Sequence, residues 1–130
     1  MNKEIIYTDK APEPIGPYSQ AIKLSSDKSS LIYTSGMLGI IPETGAIAEG
    51  GIVEQTCQAI TNLKSLLASS GTDLSRVIKT TVYLKNMNDF AKMNEVYDEY
   101  FGKSKPARST VEVARLPKDA LVEIEVIACI

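Results

Sequence analysis

The chain has 130 residues, 44% hydrophobic and 23% charged, which suits one domain spanning 1–130 with a buried core and argues against disorder. Its 14 basic and 16 acidic side chains leave a net charge of −2, so the basic surplus of a phosphate-backbone binder is missing; with no Trp and two Phe there is also little material for base stacking. Histidine is absent, which removes the commonest metal ligand and general base and excludes a Ser-His-Asp or Cys-His triad.

The first ten residues carry charges on both sides of Ile5-Ile6 and lack the apolar core of a signal peptide. No later run is long enough to span a bilayer, so the expectation is a soluble, cytoplasmic protein without a membrane partner. Ile5–Tyr7 is a short strand candidate, and Ala11–Pro17 is too rich in proline for regular structure and reads as a stiff loop. Ser19–Leu24 and Leu31–Ser35 flank the polar turn Ser25–Ser30 and predict an antiparallel hairpin. Gly36–Gly51 is a long connection containing a Pro42-Glu43-Thr44-Gly45 turn.

Val53, Cys57, Ile60, Leu63 and Leu67 recur at helical spacing, with Gly71 marking the end. Arg76–Lys85 alternates as a strand, placing Ile78, Thr80, Val82 and Leu84 on one face and Lys79, Thr81, Tyr83 and Lys85 on the other. Asn86 or Asn88 can cap a second helix whose apolar stripe is Phe90, Met93, Val96 or Tyr97, and Tyr100 or Phe101; Gly102 ends it. Two further strands follow, one around Thr110, Val111 and Val113 and one over Leu121–Ile127, joined through Leu116-Pro117-Lys118-Asp119. Cys57 and Cys129 form no CxxC and fall at apolar positions, which predicts two buried free thiols.

The order ββ-α-β-α-ββ predicts an α+β fold with two helices on one face of a mixed sheet. In the last strand Val122, Ile124 and Val126 share one face while Leu121 and Ile127 share the other with Glu123, so both faces of the sheet need cover. Two helices cover only one, and self-association is the economical way to cover the second.

Arg108 is the leading candidate for chemistry, because its planar fork pairs bidentately with a carboxylate and stays charged. The plain alternative is a salt bridge to Glu112 or Glu123. Glu123 is the candidate base, positioned to activate a water beside that arginine; otherwise it is an ordinary strand residue, as Glu125 on the same face would be. Tyr18 follows a Gly-Pro turn that presents its ring at a corner, to wall a pocket or to cap the core. Ser35-Gly36 ends a strand, where Gly36 lets backbone approach a ligand or makes a simple turn. Asn94 borders the stripe of the second helix.

Ile15-Gly16-Pro17-Tyr18-Ser19-Gln20-Ala21, Tyr33-Thr34-Ser35-Gly36, Ala107-Arg108-Ser109-Thr110-Val111-Glu112-Val113-Ala114-Arg115-Leu116-Pro117 and Glu123-Ile124-Glu125-Val126-Ile127-Ala128 occur in this order. Together they make the chain, from about its tenth residue to its end, resemble the RidA (YjgF) family of small deaminases that hydrolyse reactive enamines and imines. The resemblance implies a chorismate-mutase-like fold and a cofactor-free, metal-free homotrimer with sites at the three subunit clefts. It implies Arg108 as anchor for the substrate carboxylate, Glu123 as the water-directing glutamate, and Tyr18, Ser35, Gly36, Asn94 and Thr110 as further binding residues. The implied ligand is a 2-aminoacrylate or 2-iminopropanoate type acid, or its 2-keto acid product, supplied by pyridoxal-phosphate dehydratases. Thr110 stands where many relatives have cysteine, Met37 where glutamine is common, and Lys105 where an aromatic residue is common. The rival readings are a non-catalytic trimeric module that binds small carboxylates and regulates a partner, and an RNA-cleaving activity also attached to the family, against which the acidic balance and missing histidine argue.

Overall fold

A computed structural model describes residues 1–130. The elements are β1 (Asn2–Ile6), β2 (Ala21–Ser25), β3 (Ser30–Thr34), β4 (Met37–Leu38), α1 (Ile52–Ser69), β5 (Val77–Leu84), α2 (Phe90–Phe101), β6 (Ala107–Glu112) and β7 (Val122–Cys129). The strands form one mixed seven-stranded sheet in the order β1-β2-β3-β7-β5-β6, with β4 added to β7. The expected α+β class and the β2–β3 hairpin are present. The last two strands, consecutive in the chain, are not neighbours: β5 lies between them, antiparallel to β7 and parallel to β6. Each of them finds in β5 an apolar-alternating partner that no local turn could reveal.

The helices cover one face. Ile60, Leu63, Leu66 and Leu67 of α1 and Met93 and Phe101 of α2 pack against Ile32, Val82, Leu84, Val122, Ile124 and Val126 in the main core. The alternation of β7 holds as predicted, with Val122, Ile124, Val126 and Ala128 buried and Glu123, Glu125, Ile127 and Cys129 only partly so. In β5 it holds for Thr80, Val82 and Leu84 but fails at Ile78, which is 47% exposed. A bulge between Val77 and Lys79 puts Val77 at the inward position instead.

The stripe expected of α1 holds at Ile60, Leu63 and Leu67, which are fully buried, and fails at its start. Val53 is exposed and Cys57 half-buried against the Tyr100 hydroxyl, while polar Gln55, Thr56 and Asn62 are buried. Two of these polar residues serve distant backbone: Gln55 Oε1 accepts from Leu121 N at 2.8 Å, and Asn62 Nδ2 donates to Leu38 O and Ile40 O at 3.1 and 2.7 Å. Cys129, like Cys57, is a free thiol only partly buried, where full burial was expected. In the cap of α2, Asn86 accepts from Asn88 N, so it caps a short 3-10 turn that leads into the helix. No helix is long and apolar enough to cross a membrane.

The opposite face of the sheet has no helix. The strand registers align Ile5, Ile22, Tyr33 and Ile127 in one row across β1, β2, β3 and β7, with Ile5 65% and Tyr33 42% exposed. At one end of this face a second small core gathers Leu38, Ile40, Leu116 and Ala120, with Tyr83 and Val113 against it.

Candidate active site

Glu123 sits on β7 facing away from the helices, opposite Leu38 of β4 and Tyr83 of β5. Its carboxylate lies against the backbone of Gly36, where a Cβ would come within 2.6 Å of Glu123 Cδ. Only glycine leaves that space. Burial, helped by the charge of Glu125 two residues on, raises the Glu123 carboxyl above its ordinary value of 4.5. The carboxylate opens into a cavity of about 300 Å³, walled by Pro12, Pro14, Ile15, Tyr18, Met37 and Pro117 among others.

One side of that wall is the proline-rich loop, and one buried residue folds it. Gln20, 3% exposed, accepts from Thr8 N at 2.7 Å and donates to Thr8 O, Ala11 O and Pro12 O at 2.9, 3.3 and 2.9 Å. Tyr7 hydrogen-bonds Glu13, and Ile15 N donates to the Tyr18 hydroxyl at 3.0 Å. Tyr18 therefore accepts within its own loop and keeps its O–H to donate into the cavity. Ser35 Oγ donates to Ser19 O at 2.6 Å, which fixes the strand end that carries Gly36. Gln20 was missed in the sequence because a glutamine beside a strand start carries no local sign of its partners.

Arg108 occupies a different place. It pairs with Thr80 across the β5–β6 ladder and faces α2, where its Nη1 donates to Asn94 Oδ1 at 2.7 Å. Its guanidinium carbon lies 4.5 Å from the centre of the Tyr97 ring and 5.5 Å from that of Phe90. Tyr97 is itself held by Thr80, hydroxyl to hydroxyl at 2.7 Å. The surrounding depression, about 370 Å³, is lined by Asn94, Tyr97, Asp98, Lys105 and Pro106 with Arg108. Thr110 follows on the same strand face, its Oγ1 shielded from solvent and without a hydrogen-bond partner in the chain.

The alternative reading of Arg108, a salt bridge to Glu112 or Glu123, fails: the one ion pair within the chain is Arg115–Asp119, on the surface. Arg108 thus keeps most of its donors, braced by neutral groups.

Residues 8–130 match the family model described as Endoribonuclease L-PSP. A RutC family protein of Pyrococcus abyssi is 59% identical over 128 residues, covering 98% of each chain. The 2-iminobutanoate/2-iminopropanoate deaminase of Mus musculus is 48% identical over 126 residues, 97% of this chain and 90% of that one. Among solved structures, Escherichia coli TdcF with bound serine superposes with a TM-score of 0.85 at 40% identity, covering 96% of this chain and 97% of that one. The chain belongs to the RidA (YjgF) family.

In this RidA-family chain the residues singled out in the sequence fall into two groups. Glu123, Gly36, Ser35 and Tyr18 line the first cavity; Arg108 and Asn94 line the second depression, with Thr110 beside them on β6. The expectation that Arg108 stands beside Glu123 fails within one chain. Register parity puts Arg108 on the helix face of the sheet and Glu123 on the open face. Accordingly, no arginine offsets the effect of burial and of the Glu125 charge on Glu123.

Proposed function

We propose that the protein is a deaminase that hydrolyses reactive 2-enamine and 2-imine acids of the 2-aminoacrylate and 2-iminopropanoate type to 2-keto acids and ammonia. The observation that carries this reading is the pair of half-sites: an arginine with free donors and no carboxylate partner, and a proton-hungry carboxylate at the back of a mostly apolar cavity. Similarity to a mouse protein named as a 2-iminobutanoate/2-iminopropanoate deaminase, and to a TdcF structure with bound serine, supports a small amino-acid-derived carboxylate as ligand.

The halves meet when a second copy of the chain, residues 1–130 acting as one unit, covers the open sheet face. The apolar row Ile5, Ile22, Tyr33 and Ile127 is the surface such a contact would bury, and closure of the contact in a ring of three gives a homotrimer with three equivalent clefts. Arg108 of one copy then faces Glu123 of the next.

In that cleft the enamine first tautomerises to the imine. The Arg108 guanidinium binds the substrate carboxylate through two parallel N–H donors, while Asn94 holds the guanidinium in plane. The Tyr18 O–H completes the polar contacts, with Thr110 packed behind Arg108 on β6. Glu123 takes a proton from water as the water oxygen bonds to the imine carbon, and passes that proton to the imine nitrogen, giving the carbinolamine. The carbinolamine then loses its hydroxyl proton as the nitrogen is protonated again; the C–N bond breaks and ammonia leaves with the keto acid. No group beyond water is consumed. Orientation and one positioned water are sufficient, because the same hydrolysis proceeds slowly in free solution.

The test couples the purified protein to a threonine dehydratase with semicarbazide present to trap free imine. The wild type should speed keto-acid formation and lower the trapped imine, and Arg108→Ala should lose about 100-fold in kcat/KM, the effect of two charge-assisted hydrogen bonds. Wild-type rates in a folded Arg108→Ala protein would refute the assignment. Ligand binding without any acceleration would select the regulatory carboxylate-binding module instead.

A further inference from the structure

We propose that Lys105 extends the substrate range to imino acids that carry a second carboxylate, so that the chain also converts 2-imino dicarboxylates to 2-keto dicarboxylates and ammonia. This rests on the deaminase reading and names a substrate class within it. The observation is a second basic residue, exposed and without an ion-pair partner, on the wall of the Arg108 depression. Lys105 and Arg108 line the same hollow of about 370 Å³, together with Asn94, Asp98 and Pro106. Neither cation has a carboxylate within ion-pair distance, the one salt bridge of the chain lying elsewhere at Arg115–Asp119. Asp98 supplies one negative charge against two positive ones, so the hollow keeps a net positive field.

The backbone holds Lys105 there. Its N–H donates to Phe101 O at 2.8 Å, and its φ of 46° lies in the left-handed region. A non-glycine residue in that region costs about 1 kcal/mol, which glycine would avoid and asparagine would reduce. The turn that ends α2 thus delivers a cation three residues before Arg108, at the start of β6. The Arg108 fork takes the carboxylate next to the imine carbon, because only a planar fork matches both its oxygens. Lys105, a point charge on a flexible stem, suits the second carboxylate, whose distance varies with side-chain length. The chemistry is unchanged: water adds across C=N, the C–N bond breaks, and no oxidant is consumed. The supplying reaction is an oxidation of an amino dicarboxylate at its α-amine.

The experiment compares two imines made in situ, iminosuccinate from an aspartate oxidase and 2-iminobutanoate from a threonine dehydratase, with semicarbazide competing for each. The readout is the ratio of kcat/KM values, dicarboxylate over monocarboxylate. Lys105→Asn, which tolerates the left-handed turn, should lower the ratio about fivefold, the effect of one exposed ion pair. Lys105→Arg should hold it, and 0.5 M salt should shrink it in the wild type. An unmoved ratio in Lys105→Asn overturns the proposal, as does a wild type that hydrolyses 2-iminobutanoate but not iminosuccinate. A wild type that accelerates neither overturns the deaminase reading, and this inference with it.

Discussion

Glu123 is placed where a carboxylate is least comfortable, and both its reactivity and its cost follow from that. Burial and the Glu125 charge raise it above 4.5, so the folded chain holds its proton more tightly than the unfolded chain does. The stability contribution is therefore present below the unfolded value and is lost as pH rises through the folded one. Glu123→Gln should abolish hydrolysis, by about 100-fold or more. In urea titrations it should also gain stability over the wild type at pH 7.5, a gain that vanishes at pH 4. The kcat/KM profile of the wild type should fall toward acid as Glu123 takes up its proton, and Glu125→Gln should move the midpoint down. A midpoint below the ordinary carboxylate range would mean that an arginine from a neighbouring copy outweighs burial. At this scale the sequence was informative about residue type and silent about company. Arg108 was identifiable from its motif, but its bracing by Tyr97, Phe90 and Asn94 depends on how α2 lies over β6. Gln20 stands inside a recognisable motif, yet nothing there betrays its bracing role, since its three carbonyl partners lie eight to twelve residues earlier in a loop.

The elements were legible wherever one face is buried in a regular period, as in β5, β7 and α2. They were misread where a non-local hydrogen bond or an irregularity sets the pattern. The bulge that turns Ile78 outward leaves no mark in a run of alternating residues, because Val77 is as apolar as its neighbour. Strand β4, two residues long, is held by Asn62 from α1 through the carbonyls of Leu38 and Ile40, and no propensity could have found it. That contact also positions the site, since Met37 and Leu38 line the Glu123 cavity. Asn62→Ala should cost about 1–3 kcal/mol by leaving buried carbonyls unpaired, measured by chemical denaturation. It should also raise KM, because the cavity wall loosens. A loss confined to stability would separate the brace from the site.

Across the whole molecule, the decisive fact is that Arg108 and Glu123 of one chain lie on opposite faces of its own sheet. Parity of register made this readable in principle, yet it required knowing that β5 separates β6 from β7, which the chain order conceals. With the shared cleft proposed above, this arrangement predicts complementation. Arg108→Ala and Glu123→Gln proteins, each inactive alone, should recover about a quarter of wild-type activity when equal amounts are unfolded and reassembled together, since one cleft in four receives both intact partners by chance. Recovery of nothing would confine the site to one chain. The uncovered row of Ile5, Ile22, Tyr33 and Ile127 has a consequence in time as well as in space. On the trimer proposed above, a chain that has just folded presents greasy sheet to water until it meets another, so the last step of refolding should be second order. Dilution should lengthen the wait for activity while leaving the recovery of helical circular dichroism untouched, and a charged residue at Ile127 should strand the protein at that intermediate stage.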